Sequence, residues 1–254
     1  MRIIDFHTHP GYNTTKKFGY DMTDELFVSE LKRSGITQAC GSSIMFEHFA
    51  AKSDEFGDFL PILNTYAWNM HEKYPDFFIP GIHIHPNHPD VSAEHLRIHK
   101  EKGFRLVGEL VPYLMDYPSC LAKGCHELFE LCDQYGMILN LHEELHVSVE
   151  VAKAFPHMPV VIAHPGYNET YLERLDALKK YDNLFLDLSG TGIAATGMLR
   201  YGVETVGADR ILFGTDFPGH NPEMYVRSVL FDKISDDALE KIFWRNAAGL
   251  LGII

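Results

Sequence analysis

Ile3-Ile4-Asp5-Phe6-His7-Thr8-His9-Pro10 is an apolar run that ends on two histidines one residue apart. On an extended chain, side chains two residues apart share a face, so the imidazoles of His7 and His9 point the same way. The same pattern returns further along. Ile138-Leu139-Asn140-Leu141 leads to His142, Val160-Val161-Ile162-Ala163 to His164, and Ile211-Leu212-Phe213-Gly214-Thr215 to Asp216. Short β-rich runs at 2–7, 36–45, 77–85, 104–110, 137–142, 160–164, 184–188 and 211–216 predict eight strands. Helical patterns at 24–32, 64–73, 93–102, 121–135, 147–155, 169–181, 192–206, 222–231 and 236–251 separate and follow them. This alternation is that of βαβ units, and eight of them in a chain of about 250 residues predict a closed (β/α)8 TIM barrel. The barrel is expected to be a single domain spanning residues 1–254, since no repeat, low-complexity tract or linker divides the chain. An open doubly wound sheet is the alternative, but no G-x-G-x-x-G or Walker loop follows the first strand.

The composition bounds the function. The chain carries 22 Lys and Arg against 35 Asp and Glu, a formal charge of −13. Clustered basic residues are needed to neutralise phosphates, so neither a nucleic acid nor an anionic membrane is an expected partner. No apolar run reaches the ~18 residues of a membrane span. The N-terminus enters a strand pattern at once, without the apolar stretch of a signal peptide. Cys40, Cys120, Cys125 and Cys132 form no C-x-x-C pair and read as reduced core thiols, so a cytoplasmic protein is expected. Histidine is over-used, with 15 in 254 residues.

A parallel barrel carries its chemistry at the C-terminal ends of the strands. His7, His9, His85, Glu109, His142, His164 and Asp216 all fall there. A single H-x-H is weak support, and His83-Ile84-His85 is a second one in the same chain. Any one of these histidines taken alone reads as a buried, hydrogen-bonded ring. Four histidines, a glutamate and an aspartate gathered at one mouth need an opposing charge, which a divalent ion such as Zn²⁺ supplies.

Four stretches, in this order, resemble the amidohydrolase superfamily of metal-dependent barrel enzymes, in particular its amidohydrolase-related branch. They are the opening Ile3-to-Pro10 stretch, Ile162-Ala163-His164-Pro165-Gly166, Leu212-Phe213-Gly214-Thr215-Asp216-Phe217-Pro218 and Asn246-Ala247-Ala248-Gly249-Leu250-Leu251-Gly252. The resemblance extends over essentially the whole chain. The resemblance implies that His7, His9 and Asp216 bind a first metal and that His142 and His164 hold a second. In one-metal relatives His142 joins the first ion and His164 contacts the attacking water or the substrate. Glu109 stands where many relatives carry a carbamylated lysine, and it resembles the glutamate that bridges two metals in others. The alternative for Glu109 is a carboxylate that orients a metal-binding imidazole.

The expected activity is that of a metal-dependent hydrolase, with metal-activated water attacking a small-molecule amide, ester, lactone or phosphoester and Asp216 moving the proton. Two divalent ions, most simply zinc, are favoured over one. A non-oxidative decarboxylase or hydratase of the same superfamily is the alternative, and a TatD-like nuclease is disfavoured by the charge. A barrel holding metal only as structure would have no use for Asp216. Relatives of this branch imply a homodimer. His85 and His220 are candidates for substrate contact. Glu143, Glu144 and His146 lie beside the fifth strand end, and the 10–22 loop, with Tyr12, Lys16, Lys17 and Tyr20, is long enough to form a lid.

Overall fold

The eight apolar runs fold into eight parallel strands, described here from a computed structural model that covers residues 1–45 and 51–253. The strands are β1 Ile4–Asp5, β2 Gln38–Gly41, β3 Phe78–Ile82, β4 Leu106–Leu110, β5 Ile138–Leu141, β6 Val160–Ile162, β7 Leu184–Asp187 and β8 Ile211–Leu212, paired in sequence order. Each is followed by a helix: α1 Asp24–Arg33, α2 Phe56–Lys73, α3 Pro89–Glu101, α4 Cys125–Gln134, α5 Leu145–Ala154, α6 Asn168–Lys180, α7 Met198–Val206 and α8 Pro222–Phe231. Among the described residues no helix is long and apolar enough to cross a membrane.

The edges of the curled sheet meet through the segments that carry the reactive residues. The Phe6 N–H donates to the Phe213 carbonyl, the Asp216 N–H to the His7 carbonyl and the His9 N–H to the Phe217 carbonyl, all within 2.9 Å. Thr8 and Phe217 form an isolated parallel bridge just beyond. Asp5 reinforces this seam. Its fully buried carboxylate accepts the backbone N–H and the hydroxyl of Thr215, at 3.0 and 2.5 Å, and the His7 N–H at 3.2 Å. Barrel closure and the placement of His7 and Asp216 are therefore one piece of hydrogen bonding.

A compact apolar cluster takes one residue from nearly every strand: Ile4, Cys40, Ile79, Leu106, Ile138, Val161 and Leu212, with Phe185 of β7 packed against it. Ala247, Ala248 and Leu251 of the last helix join the same cluster. The 236–251 segment, expected as one helix, is broken into α9 Asp236–Glu240, a π-helical turn Lys241–Arg245 and α10 Asn246–Leu251. The widened turn sits where the Ile242 carbonyl accepts the Phe213 N–H just after β8, at 3.1 Å, so that acceptor serves the barrel as well as the helix. The other main departure is α2, which begins at Phe56 rather than at 64 and carries Pro61 within it. The loop after β1 contains a short 3₁₀ turn, Thr14–Phe18, and is tied to the β8–α8 loop by the Thr14 hydroxyl donating to the Pro218 carbonyl.

Replacing Asp5 with alanine leaves three buried donors without their acceptor. The expected loss is about 2–4 kcal/mol in urea denaturation, and a change below about 0.5 kcal/mol would contradict the role given to this carboxylate.

Candidate metal centre

Glu109, on β4, sends each of its two carboxylate oxygens to a different pair of imidazoles. Its Oε2 lies 3.5 Å from His7 Nε2 and 3.4 Å from His9 Nε2. Its Oε1 lies 2.9 Å from His142 Nδ1 and 3.3 Å from His164 Nε2. On the first side the two imidazole nitrogens are 3.0 Å apart, and Asp216 Oδ1 stands 3.3 Å from His9 Nε2 and 4.0 Å from His7 Nε2. On the second side His142 Nδ1 and His164 Nε2 are 3.2 Å apart. His7, His9 and Asp216 thus form one group of convergent donor atoms, and Glu109, His142 and His164 another.

Contacts on the outer nitrogens decide which ring atom faces inward. The His9 Nδ1–H donates to the Ser42 carbonyl at 3.0 Å, and the His7 Nδ1–H to Asp187 Oδ2 at 2.9 Å. His164 Nδ1 is 3.0 Å from the Ser189 hydroxyl oxygen, which accepts from it while its own proton goes to Asp187 Oδ1. These partners leave Nε2 of His7, His9 and His164 facing Glu109, the inward orientation of metal-ligating imidazoles. The backbone cooperates. His164 and Asp216 adopt left-handed φ values of 63° and 60°, a conformation that costs roughly 1–2 kcal/mol in a non-glycine residue. The His164 N–H bonded to Asp187 and the Asp216 N–H bonded to the His7 carbonyl hold these turns. Gly190 lets the His164 ring lie flat against the next loop, since a Cβ there would sit 2.2 Å from His164 Nδ1.

The electrostatics match. Burial opposes the charged form of His9, but hydrogen bonds to Asp216 and Glu109 override it and raise its pKa to about 9. His7, also working against burial, is raised by the charges of Glu109 and Asp187. Burial opposes ionisation of Glu109, yet His7 and the hydrogen bonds from His142 and His164 hold it well below the usual carboxylate range. A field that favours positive charge on these rings favours a divalent cation between them. The spacing agrees as well. Ligand atoms at 2.0–2.1 Å from a tetrahedral ion lie ~3.3 Å apart, and most of the separations above fall between 2.9 and 3.5 Å. Nitrogen and carboxylate oxygen donors of this kind suit zinc, manganese or iron.

The other expected residues divide. His220 lies at the mouth, with Nε2 3.5 Å from Asp216 Oδ2. His85, expected to border substrate, is instead sealed in the wall. It is fully buried, stacked on Phe56 at 4.9 Å, and its Nε2–H donates to the Met115 carbonyl. Its partner in the second H-x-H, His83, is equally buried, and its Nε2–H donates to the Ser43 carbonyl. Burial drives both rings down to a pKa of about 4, which keeps them neutral. Glu143 accepts the Cys120 N–H, and Glu144 is the N-terminal flanking residue of α5. Tyr12 lines the cavity over the centre together with Ile44, Val111, Tyr113 and Leu114; the cavity volume is about 120 Å³. Asp187, Ser189 and Ser42 are additions from the structure. Asp187 had a readable signal, an acid closing the apolar run Leu184-Phe185-Leu186.

Asp187→Asn is expected to weaken divalent-metal affinity by about 10–100-fold, as loss of an imidazole-orienting carboxylate does. Glu109→Gln should lower occupancy of the His142/His164 position more than that of the His7/His9/Asp216 position. Metal analysis after dialysis against graded metal concentrations reads both, and unchanged binding in either variant would contradict its role.

A family model described as amidohydrolase matches residues 4–253. No curated protein sequence is similar enough to this chain to match it. Among solved structures, an uncharacterized TIM-barrel protein from Bordetella bronchiseptica is 21% identical, with 98% of each chain covered and a TM-score of 0.76. A putative amidohydrolase from Staphylococcus aureus is 16% identical, with 99% of this chain and 100% of that one covered and a TM-score of 0.75. A dihydroxybenzoic acid decarboxylase from Polaromonas, solved with bound manganese and the inhibitor 2-nitroresorcinol, is 15% identical, with 99% and 96% covered and a TM-score of 0.70. At these identities the likeness is one of fold. The family match extends over nearly the whole length, and the chain belongs to the amidohydrolase family.

Proposed function

We propose that this protein is a metal-dependent hydrolase that cleaves an amide, ester, lactone or phosphoester bond in a small molecule at a two-cation centre. The observation that carries this reading is the division of Glu109, whose Oε2 faces His7 and His9 while its Oε1 faces His142 and His164. A carboxylate with both oxygens so placed needs no modification to bridge two cations. Divalent cations held by these residues would lower the pKa of water and polarise a carbonyl or phosphoryl oxygen. The chain's own groups do the rest. Burial resists ionisation of Asp216, but hydrogen bonds from His220 and His9 hold its carboxyl far below the usual range. It is therefore in the proton-accepting form at neutral pH and can return that proton to a leaving group. Tyr12, Ile44, Tyr113 and Leu114 wall the cavity and limit the water that reaches it. No Lys or Arg lines the cavity among the described residues, which suits a small substrate better than a polynucleotide. The four buried free thiols suit a reducing compartment, and we place the protein in the cytoplasm.

A second reading, decarboxylation at a single ion held by His7, His9, His142 and Asp216, draws support from two observations. One is that most of the similar solved structures are aromatic-acid decarboxylases, the manganese-bound enzyme of Polaromonas among them, so the structural likenesses back this reading better than the first. The other is the 2.9 Å contact from His142 to Glu109, a distance equally suited to a carboxylate that merely orients the imidazole.

A screen of metal-reconstituted protein across lactones, esters, N-acyl compounds, phosphoesters and aromatic acids separates the two. Hydrolysis without release of carbon dioxide is expected, and Asp216→Asn should lower turnover by at least about 10²–10⁴-fold while metal is retained. Carbon dioxide release from an aromatic acid, with no hydrolysis in any class, would reverse the assignment.

A further inference from the structure

The cavity over the metal centre, about 120 Å³, has room for a reacting group and little more. A larger hollow of about 310 Å³ opens beside it, between the loops that follow β6, β7 and β8. We propose that this hollow is the subsite for the part of the substrate that does not react, and that this part is uncharged and apolar. The proposal rests on the metal centre described above, whichever bond is broken there.

Two contacts set the hollow next to the centre. Gly190, in its wall, packs on the ring of His164, and His220, at its edge, has Nε2 3.5 Å from Asp216 Oδ2. The lining mixes large apolar side chains with the small polar groups of Thr191, Asn221 and Ser228 and the His220 ring. Tyr167, Ile193, Met224 and Tyr225 supply the large side chains, and among the described lining residues there is no Asp, Glu, Lys or Arg. The Tyr225 hydroxyl is committed to the Gly190 carbonyl, so that residue contributes its ring. Tyr167 is 55% exposed and Met224 64% exposed, two large apolar groups standing in water at the rim. Exposed apolar side chains gathered beside a cavity mark a binding surface. A carboxylate or phosphate placed among the apolar groups would lose hydration with no lysine or arginine in the described lining to repay it, whereas an alkyl or aryl group would gain by leaving water. The volume sits at the low end of small-molecule pockets, about 300–1,000 Å³. A wider groove near the mouth runs along α1 and meets the hollow at His220 and Asn221; it too has apolar walls, from Tyr20, Met22, Leu26 and Phe217, but it also carries Glu30, Arg33 and Glu223.

Hydroxamates chelate divalent metals whatever the enzyme's reaction, so a series of them tests the subsite apart from the assignment of hydrolysis. Calorimetric titration of protein verified to hold metal should show affinity rising at least about tenfold from acetohydroxamate to octanohydroxamate, as burial of several methylenes requires. The mono-hydroxamate of suberic acid, of equal length with a terminal carboxylate, should bind at least tenfold more weakly than octanohydroxamate. Met224→Arg, a change at an exposed position, should raise affinity for the carboxylate compound at least tenfold relative to the neutral one. A flat chain-length series, equal or tighter binding of the carboxylate compound by the native protein, or no hydroxamate binding at all would overturn the proposal. An intact binding series without hydrolysis of any substrate would overturn the hydrolase assignment and leave the subsite standing.

Discussion

Glu109 is a carboxylate only 4% exposed to solvent, and it is surrounded by four imidazoles from three other strand ends. Burying an anion is expensive unless positive charge and hydrogen bonds meet it. The mouth of the barrel is organised around meeting that cost. His7 and His9 approach one oxygen from the end of β1, and His142 and His164 approach the other from β5 and β6. Asp216, arriving from β8, completes the first group. A site built this way could hold a divalent cation, and most separations between its donor atoms suit ligands of one ion as well as hydrogen bonds.

The fold supplies this geometry through two layers of support. Except at Glu109, which lies within β4, strand pairing ends just before the donor residues, and the backbone groups released there are used again. They close β1 on β8, hold the left-handed turns at His164 and Asp216, and bring the Ser42 carbonyl to His9. Asp187 and Ser189 form the second layer. Between them they touch His7, of the first donor group, and His164, of the second, so one buried carboxylate and one hydroxyl set the ring orientation on both sides of Glu109. These are short, buried contacts on strand ends, which resist displacement better than contacts on loops.

Much of this was legible in the sequence because barrel strands announce themselves as apolar runs and their ends as polar interruptions. All eight strands fall within the stretches expected for them, and His7, His9, Glu109, His142, His164 and Asp216 do converge. What the sequence lacks is the information that separates two identical patterns. His7-Thr8-His9 and His83-Ile84-His85 look alike as strings, yet the second pair is capped by carbonyls of Ser43 and Met115, from loops distant in the chain. Burial and partners, not spacing, make one pair a candidate ligand set and the other a wall. The π-helical turn at Lys241–Arg245 is hidden for a similar reason, since the Phe213 N–H that meets its carbonyl comes from the other end of a βα unit. Asp187 ends a strand as an acid like the others, and its role comes from a partner the sequence does not show, the Nδ1–H of His7.

The central proposal is that Glu109 would hold two divalent cations, one through each carboxylate oxygen. Electron paramagnetic resonance of the protein loaded with two equivalents of Mn²⁺ tests it most directly, because two manganese ions sharing a carboxylate are magnetically coupled. A multiline spectrum of an exchange-coupled pair is the expected result, collapsing towards that of isolated ions in Glu109→Ala. A six-line spectrum of uncoupled Mn²⁺ in the native protein at every loading would contradict the bridging role and leave a centre built around one ion.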